Sequence, residues 1–113
     1  MKRIITVTLF FFATSILIAA GSLLNRGMIA QLSEDWIICG TRETAKRLSI
    51  YVKAGDQFGM DAIISHGLGV NVGEGTRVKI VGAASGYFEV RILGGANDSY
   101  LGWISDQLLG PVR

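Results

Sequence analysis

The sequence predicts an α+β protein: an apolar N-terminal helix, a short helical hairpin, then a small β-barrel. Three observations carry this. An uncharged apolar run fills Ile4–Leu24; apolar residues recur at helical spacing between Thr41 and Ser65; and from Leu68 onward polar and apolar residues alternate between glycine-rich turns.

Met1-Lys2-Arg3 ahead of the run makes a positive n-region, the layout that directs a chain to a membrane with its remainder on the far side. Two readings of residues 1–24 stand side by side. As a helix, the 21 residues Ile4–Leu24 reach about 31 Å, enough to cross a hydrocarbon core of about 30 Å. As a signal peptide, Ala19-Ala20-Gly21 supplies the small residues for cleavage before Ser22, and Ala20-Gly21-Ser22 for cleavage before Leu23. The lone cysteine, Cys39, lies too far downstream for a lipoprotein signal.

Residues 25–39 read as a connector, ending in the apolar patch Trp36–Cys39, which packs on the domain or meets a membrane interface. Residues 40–67 read as the helical hairpin. Thr41 is a fair N-cap; Ala45, Leu48, Tyr51 and Val52 share a face; Gly55 is a stop. Asp56 caps a second helix, about Gln57–Ser65, whose buried side is expected to hold Phe58, Met60, Ala62 and Ile63, with Gly67 ending it.

Residues 68–113 read as the barrel. Its strands are Leu68–Val72, Thr76–Val81, Tyr87–Leu93 and Ser99–Ile104, followed by a single turn at Asp106–Leu109 and an edge strand at Gly110–Val112. Val78, Ile80, Phe88, Val90, Ile92, Ile104 and Leu108 would fill it, with Arg77, Lys79, Glu89 and Arg91 outward.

Net charge is +2, but Lys2 and Arg3 account for it: nine Lys/Arg face nine Asp/Glu from Ser22 onward. Scattered cations without aromatic interleaving give nucleic acid no electrostatic footprint. One cysteine makes no internal disulfide, so Cys39 is a buried small hydrophobe or an intermolecular bridge, and its apolar neighbours favour burial. Cys39 and His66, the sole thiol and imidazole, lack the third orienting group of a hydrolase and the clustered ligands of a metal site. Asp56 and Asp61 point to different helix faces. The Gly67, Gly69, Gly73 spacing follows a helix and enters a strand, the reverse of a phosphate loop. The chain is therefore expected to have no catalytic residues, metal or cofactor.

Gly75-Thr76-Arg77-Val78-Lys79-Ile80-Val81, Phe88-Glu89-Val90-Arg91 and Gly102-Trp103-Ile104 with Leu108 resemble the strand pattern of bacterial SH3-like (SH3b-type) domains over about residues 68–113. The whole resembles small exported proteobacterial proteins in which a helical segment precedes one such barrel. The resemblance implies a non-enzymatic module that binds peptidoglycan or a protein segment in the periplasm. Tyr87, Tyr100 and Trp103 are the candidate ligand-binding residues on its surface, aromatics that stack on sugars or proline-rich peptides. Against that, Trp103 equally serves to close the barrel against the hairpin. The competing expectation is a single-pass accessory subunit, held in the inner membrane by residues 4–24 if they are uncleaved, that stabilises a larger membrane complex.

Overall fold

The computed structural model describes residues 24–112, an α+β fold of two helices and one antiparallel sheet. The expected signal or anchor falls outside these residues apart from Leu24, and among the described residues no helix is long and apolar enough to cross a membrane. In chain order the elements are β1 (Ile29–Leu32), β2 (Trp36–Cys39), α1 (Arg42–Ala54), α2 (Gln57–Ser65), β3 (Gly69–Val72), β4 (Arg77–Ala84), β5 (Tyr87–Leu93), β6 (Leu101–Ser105), a 3₁₀ turn (Asp106–Leu108) and β7 (Leu109–Pro111).

The seven strands form one sheet in the order β3-β2-β6-β5-β4-β1-β7. The barrel expected from the sequence is not closed, because β3 and β7 end the sheet as free edges. The stretch 25–39, expected as a connector, carries two strands instead. β1 lies between β4 and β7, with Ala30 opposite both Val78 and Pro111. β2 pairs along its length with β3 and touches β6 through Cys39 opposite Trp103. β3 pairs with β2, at the far edge of the sheet from β1.

Alternation along the strands sends Ala30, Leu32, Ile38, Val78, Ile80, Val90, Ile92 and Ile104 into one core, joined by Leu24, Phe88 and Leu108. The seven residues expected to fill the barrel are all buried there. A register shift between Ile80 and Gly82 bulges β4, which bends the long β4–β5 ribbon over this core. Ser85 and Gly86, with φ of 49° and 85°, close that ribbon in two residues, as hairpins with a right-handed twist require.

The opposite face of the sheet is covered only in part. Cys39, Ala45, Leu48 and Ile63 form a second core, where α1 lies over β2 and β6 and α2 over β3. Thr41 Oγ1 accepts from Thr44 N at 3.1 Å to start α1. Gly55 ends it in the left-handed region at φ 68°, freeing Asp56 N to donate to Tyr51 O. Asp56 Oδ1 then accepts from Gly59 N at 2.9 Å, the expected cap of α2.

The expected burial of Phe58 is wrong: it is 85% exposed. The buried pair of α2 is Gly59 and Ile63, one turn apart. Gly59 is needed there because a Cβ would lie 2.8 Å from the Tyr51 ring. With that face fixed against α1, Phe58 is turned about 140° from Ile63 and points to solvent.

Candidate functional site

The helical hairpin does not seal against the end of β2 and β3. Between them lies a groove of about 610 Å³ with Trp36 and Ile37 of β2 on one side, Leu48 and Val52 of α1 and Met60 of α2 on the other, and Asp35, Gln57, Asn71 and Gly73 along its lip. Its volume is that of a small-ligand site. Trp36 is half-buried and packs on both cores at once, so its ring is held at the junction of sheet and hairpin.

The polar lip is anchored through some of its atoms and open through the rest. Asp35 Oδ1 accepts from Glu74 N at 2.8 Å, which ties the β1–β2 loop to the β3–β4 turn. Gln57 Nε2 donates to Asp61 Oδ1 at 2.8 Å, which holds the Gln57 side chain along α2. Asn71 O accepts from Asn97 Nδ2 at 3.3 Å. Asp35 Oδ2, Gln57 Oε1 and the Asn71 carboxamide take part in none of these bonds and belong to residues that line the groove. An aromatic ring beside a carboxylate and two amides is the donor–acceptor set that binds hydroxyl- and amide-rich ligands by stacking plus hydrogen bonds.

The aromatics expected to bind ligand lie elsewhere. Tyr87 and Trp103 join the second core beneath α1, half-buried, and the Tyr87 hydroxyl is hydrogen-bonded to Ser49 Oγ at 3.2 Å. Tyr100 packs on the first core instead. Burial pushes the Tyr100 hydroxyl pKa up, and the neighbouring Cys39 charge adds to it. The structure thus brings Tyr87 and Trp103 together, separates Tyr100 from them, and gives the groove to Trp36. Sequence reading missed the groove by taking Asp35–Ile37 as connector. The available signal was the aromatic and β-branched run Trp36-Ile37-Ile38 opposite Val70 and Val72, which reads as a strand pair.

Cys39 is free and wholly buried, and burial pushes its thiol up to about 11, so it stays protonated at neutral pH. His66 caps α2 in solvent. Among the described residues no three His, Cys, Asp or Glu gather as metal ligands, and no buried side-chain nitrogen or oxygen lacks a hydrogen-bond partner. Comparisons of the chain with family models, curated proteins and solved structures found no match.

Proposed function

We propose that this protein is an exported, non-catalytic binding module whose groove takes a segment of cell-wall peptidoglycan, glycan or stem peptide, in the periplasm. The observation that carries the reading is the groove itself: Trp36 at its floor, with Asp35, Gln57 and Asn71 offering unused acceptors and donors at its lip. Indole faces stack on sugar C–H groups, while carboxylate and carboxamide groups bind hydroxyls and peptide amides.

We further propose that β1, β4, β5, β6 and β7 form the SH3-like unit. Supporting this, they are adjacent in the order β7-β1-β4-β5-β6, and a single 3₁₀ turn precedes the last strand. On this reading the unit begins at Ile29 rather than Leu68, and β2, the hairpin and β3 are one long excursion between β1 and β4. The groove then belongs to the excursion, and the SH3-like strands serve as its platform.

Sedimentation with purified cell-wall sacculi tests the binding reading. The wild-type chain pellets with the sacculi; Gln57→Ala with Asn71→Ala, both exposed, weakens pelleting roughly tenfold, the loss of two hydrogen bonds of about 0.5–1.5 kcal/mol each. A wild-type chain that stays in the supernatant refutes it.

A second reading, the membrane-held accessory subunit, is favoured by one observation. Leu24, last residue of the apolar run, is buried in the first core, so a retained run would join the domain without a linker. Its signature is a membrane-extracted complex of fixed composition containing residues 4–24.

A further inference from the structure

The cations that look scattered along the sequence meet on the sheet. Register places Ile29, Lys79, Arg91 and Leu101 side by side in one row across β1, β4, β5 and β6. The next row holds Gln31, Arg77 and Leu93. These rows lie on the face opposite the first core, beyond the part that α1 covers. All three cations are exposed, and so are Ile29 at 49%, Leu101 at 43% and Leu93 at 38%. Lys79 directly opposite Arg91 is a like-charge pair, which weakens a sheet. The single acidic residue on these four strands, Glu89, sits across from Trp103, toward the helices. Beside Arg77 lies a shallow depression with Thr76, Gly94 and Leu93 in its wall.

The path of the chain says what faces this surface. The apolar run Ile4–Leu24 ends inside the domain, since Leu24 is in the first core. Residues 25–28 then run beside β4: Gly27 N donates to Ile80 O at 2.6 Å and Ile80 N to Met28 O at 2.9 Å. Ile29, at the end of the basic row, follows at once. A membrane that holds the residues before Leu24 therefore lies within a few residues of Ile29, the strand partner of Lys79.

We propose that this face, with Arg77, Lys79 and Arg91 framed by Ile29, Leu93 and Leu101, rests on the anionic phospholipid surface of the membrane. The cations bind lipid phosphates and the flanking aliphatic side chains enter the interface, the division of labour of interfacial surfaces. The inference rests on the export reading of Ile4–Leu24 in its retained form.

The test uses the full chain in lipid nanodiscs of phosphatidylcholine, alone or with about 30% phosphatidylglycerol, a surface at which each basic residue strengthens attachment roughly fivefold. Amine acetylation read by mass spectrometry compares Lys79 with Lys46 and Lys53, which are exposed on α1. Lys79 is expected to react several-fold more slowly than Lys46 only when phosphatidylglycerol is present. The protection should vanish in about 0.5 M salt, where the screening length is roughly 4 Å. It should also vanish in Arg77→Gln with Arg91→Gln, which leaves Lys79 as reporter. Equal reaction of Lys79 and Lys46 in the anionic discs overturns the proposal, as does protection of the same size in phosphatidylcholine alone. Flotation with vesicles separates this from failure of the tether. A chain that floats with anionic vesicles but not with phosphatidylcholine lacks the tether yet keeps the surface contact, provided Arg77→Gln with Arg91→Gln abolishes it. A chain that floats with neither overturns both.

Discussion

Gly102 is where the sheet's two parts meet, and Gly102→Ala probes that seam. β2 touches β6 through the one pair Cys39–Trp103, so the β2–β3 hairpin depends on close approach there. A Cβ at position 102 would lie 2.5 Å from Cys39 O, 2.7 Å from Ile38 Cγ2 and 3.0 Å from the Tyr100 ring. The first contact is with backbone, which no rotamer change relieves. Inserting a methyl into such a site costs about 1–3 kcal/mol, offset by about 0.4–1 kcal/mol for the lower entropy of the unfolded chain. A backbone clash puts the cost at its upper end, giving a net loss of about 2 kcal/mol. In a domain of this size that lowers Tm by roughly 8–16 °C. Gly110→Ala is the control: a Cβ there meets nothing within 4 Å, so the entropic gain stands alone and stability rises by up to about 1 kcal/mol. Equilibrium urea unfolding, followed by the fluorescence of Trp36 and Trp103, measures both. Gly102→Ala within about 0.5 kcal/mol of wild type, or Gly110→Ala falling as far as it, would refute the assignment of the seam.

Phe58→Ser, at a site 85% exposed, should change stability by no more than about 0.5 kcal/mol in the same titration, whereas a buried phenylalanine would cost several times that. Ile104→Ala removes a wholly buried side chain of β6 from the first core and should cost about 2–5 kcal/mol, seen as a lower urea midpoint with an unchanged slope. The Cys39 thiol has a folded pKa of about 11 against an ordinary 9.0, so the fold favours its protonated form. That contribution is complete below about pH 9 and is lost as pH rises toward 11; Tyr100, also raised, acts in the same direction. Stability should therefore fall across this window, and Cys39→Ala should flatten the fall. In the native state near neutral pH the thiol should not react with a disulfide reagent, and should react fully in urea.

How much of this was legible in the sequence follows from where the physics is local. Caps are local, so Thr41, Gly55 and Asp56 announced both helices. Period-two alternation is local, so the inward residues of β4, β5 and β6 were readable one by one. Strand partners are not local. Nothing in Ile29–Leu32 says that it lies between β4 and β7, and four residues of weak alternation passed for a connector. The same blindness hid the groove, since Asp35, Gln57 and Asn71 lie on three separate elements. It also hid the basic face, which exists only once Lys79 stands opposite Arg91. Phe58 misled because hydrophobicity was weighed without the demand of Tyr51 for a glycine at position 59. Trp103, legible as an aromatic either for a ligand or for closing the barrel against the hairpin, packs against the second core with Cys39 and α1.

The groove between β2, β3 and the hairpin is the binding site proposed for this protein. Amide chemical-shift mapping of the isotope-labelled chain, titrated with soluble peptidoglycan fragments, tests it most directly. Saturable shifts should cluster at Asp35–Ile37, Gln57 and Asn71–Gly73, together with the Trp36 indole N–H. Shifts centred on Tyr87, Tyr100 and β4–β5, or no saturable shifts at all, would contradict it.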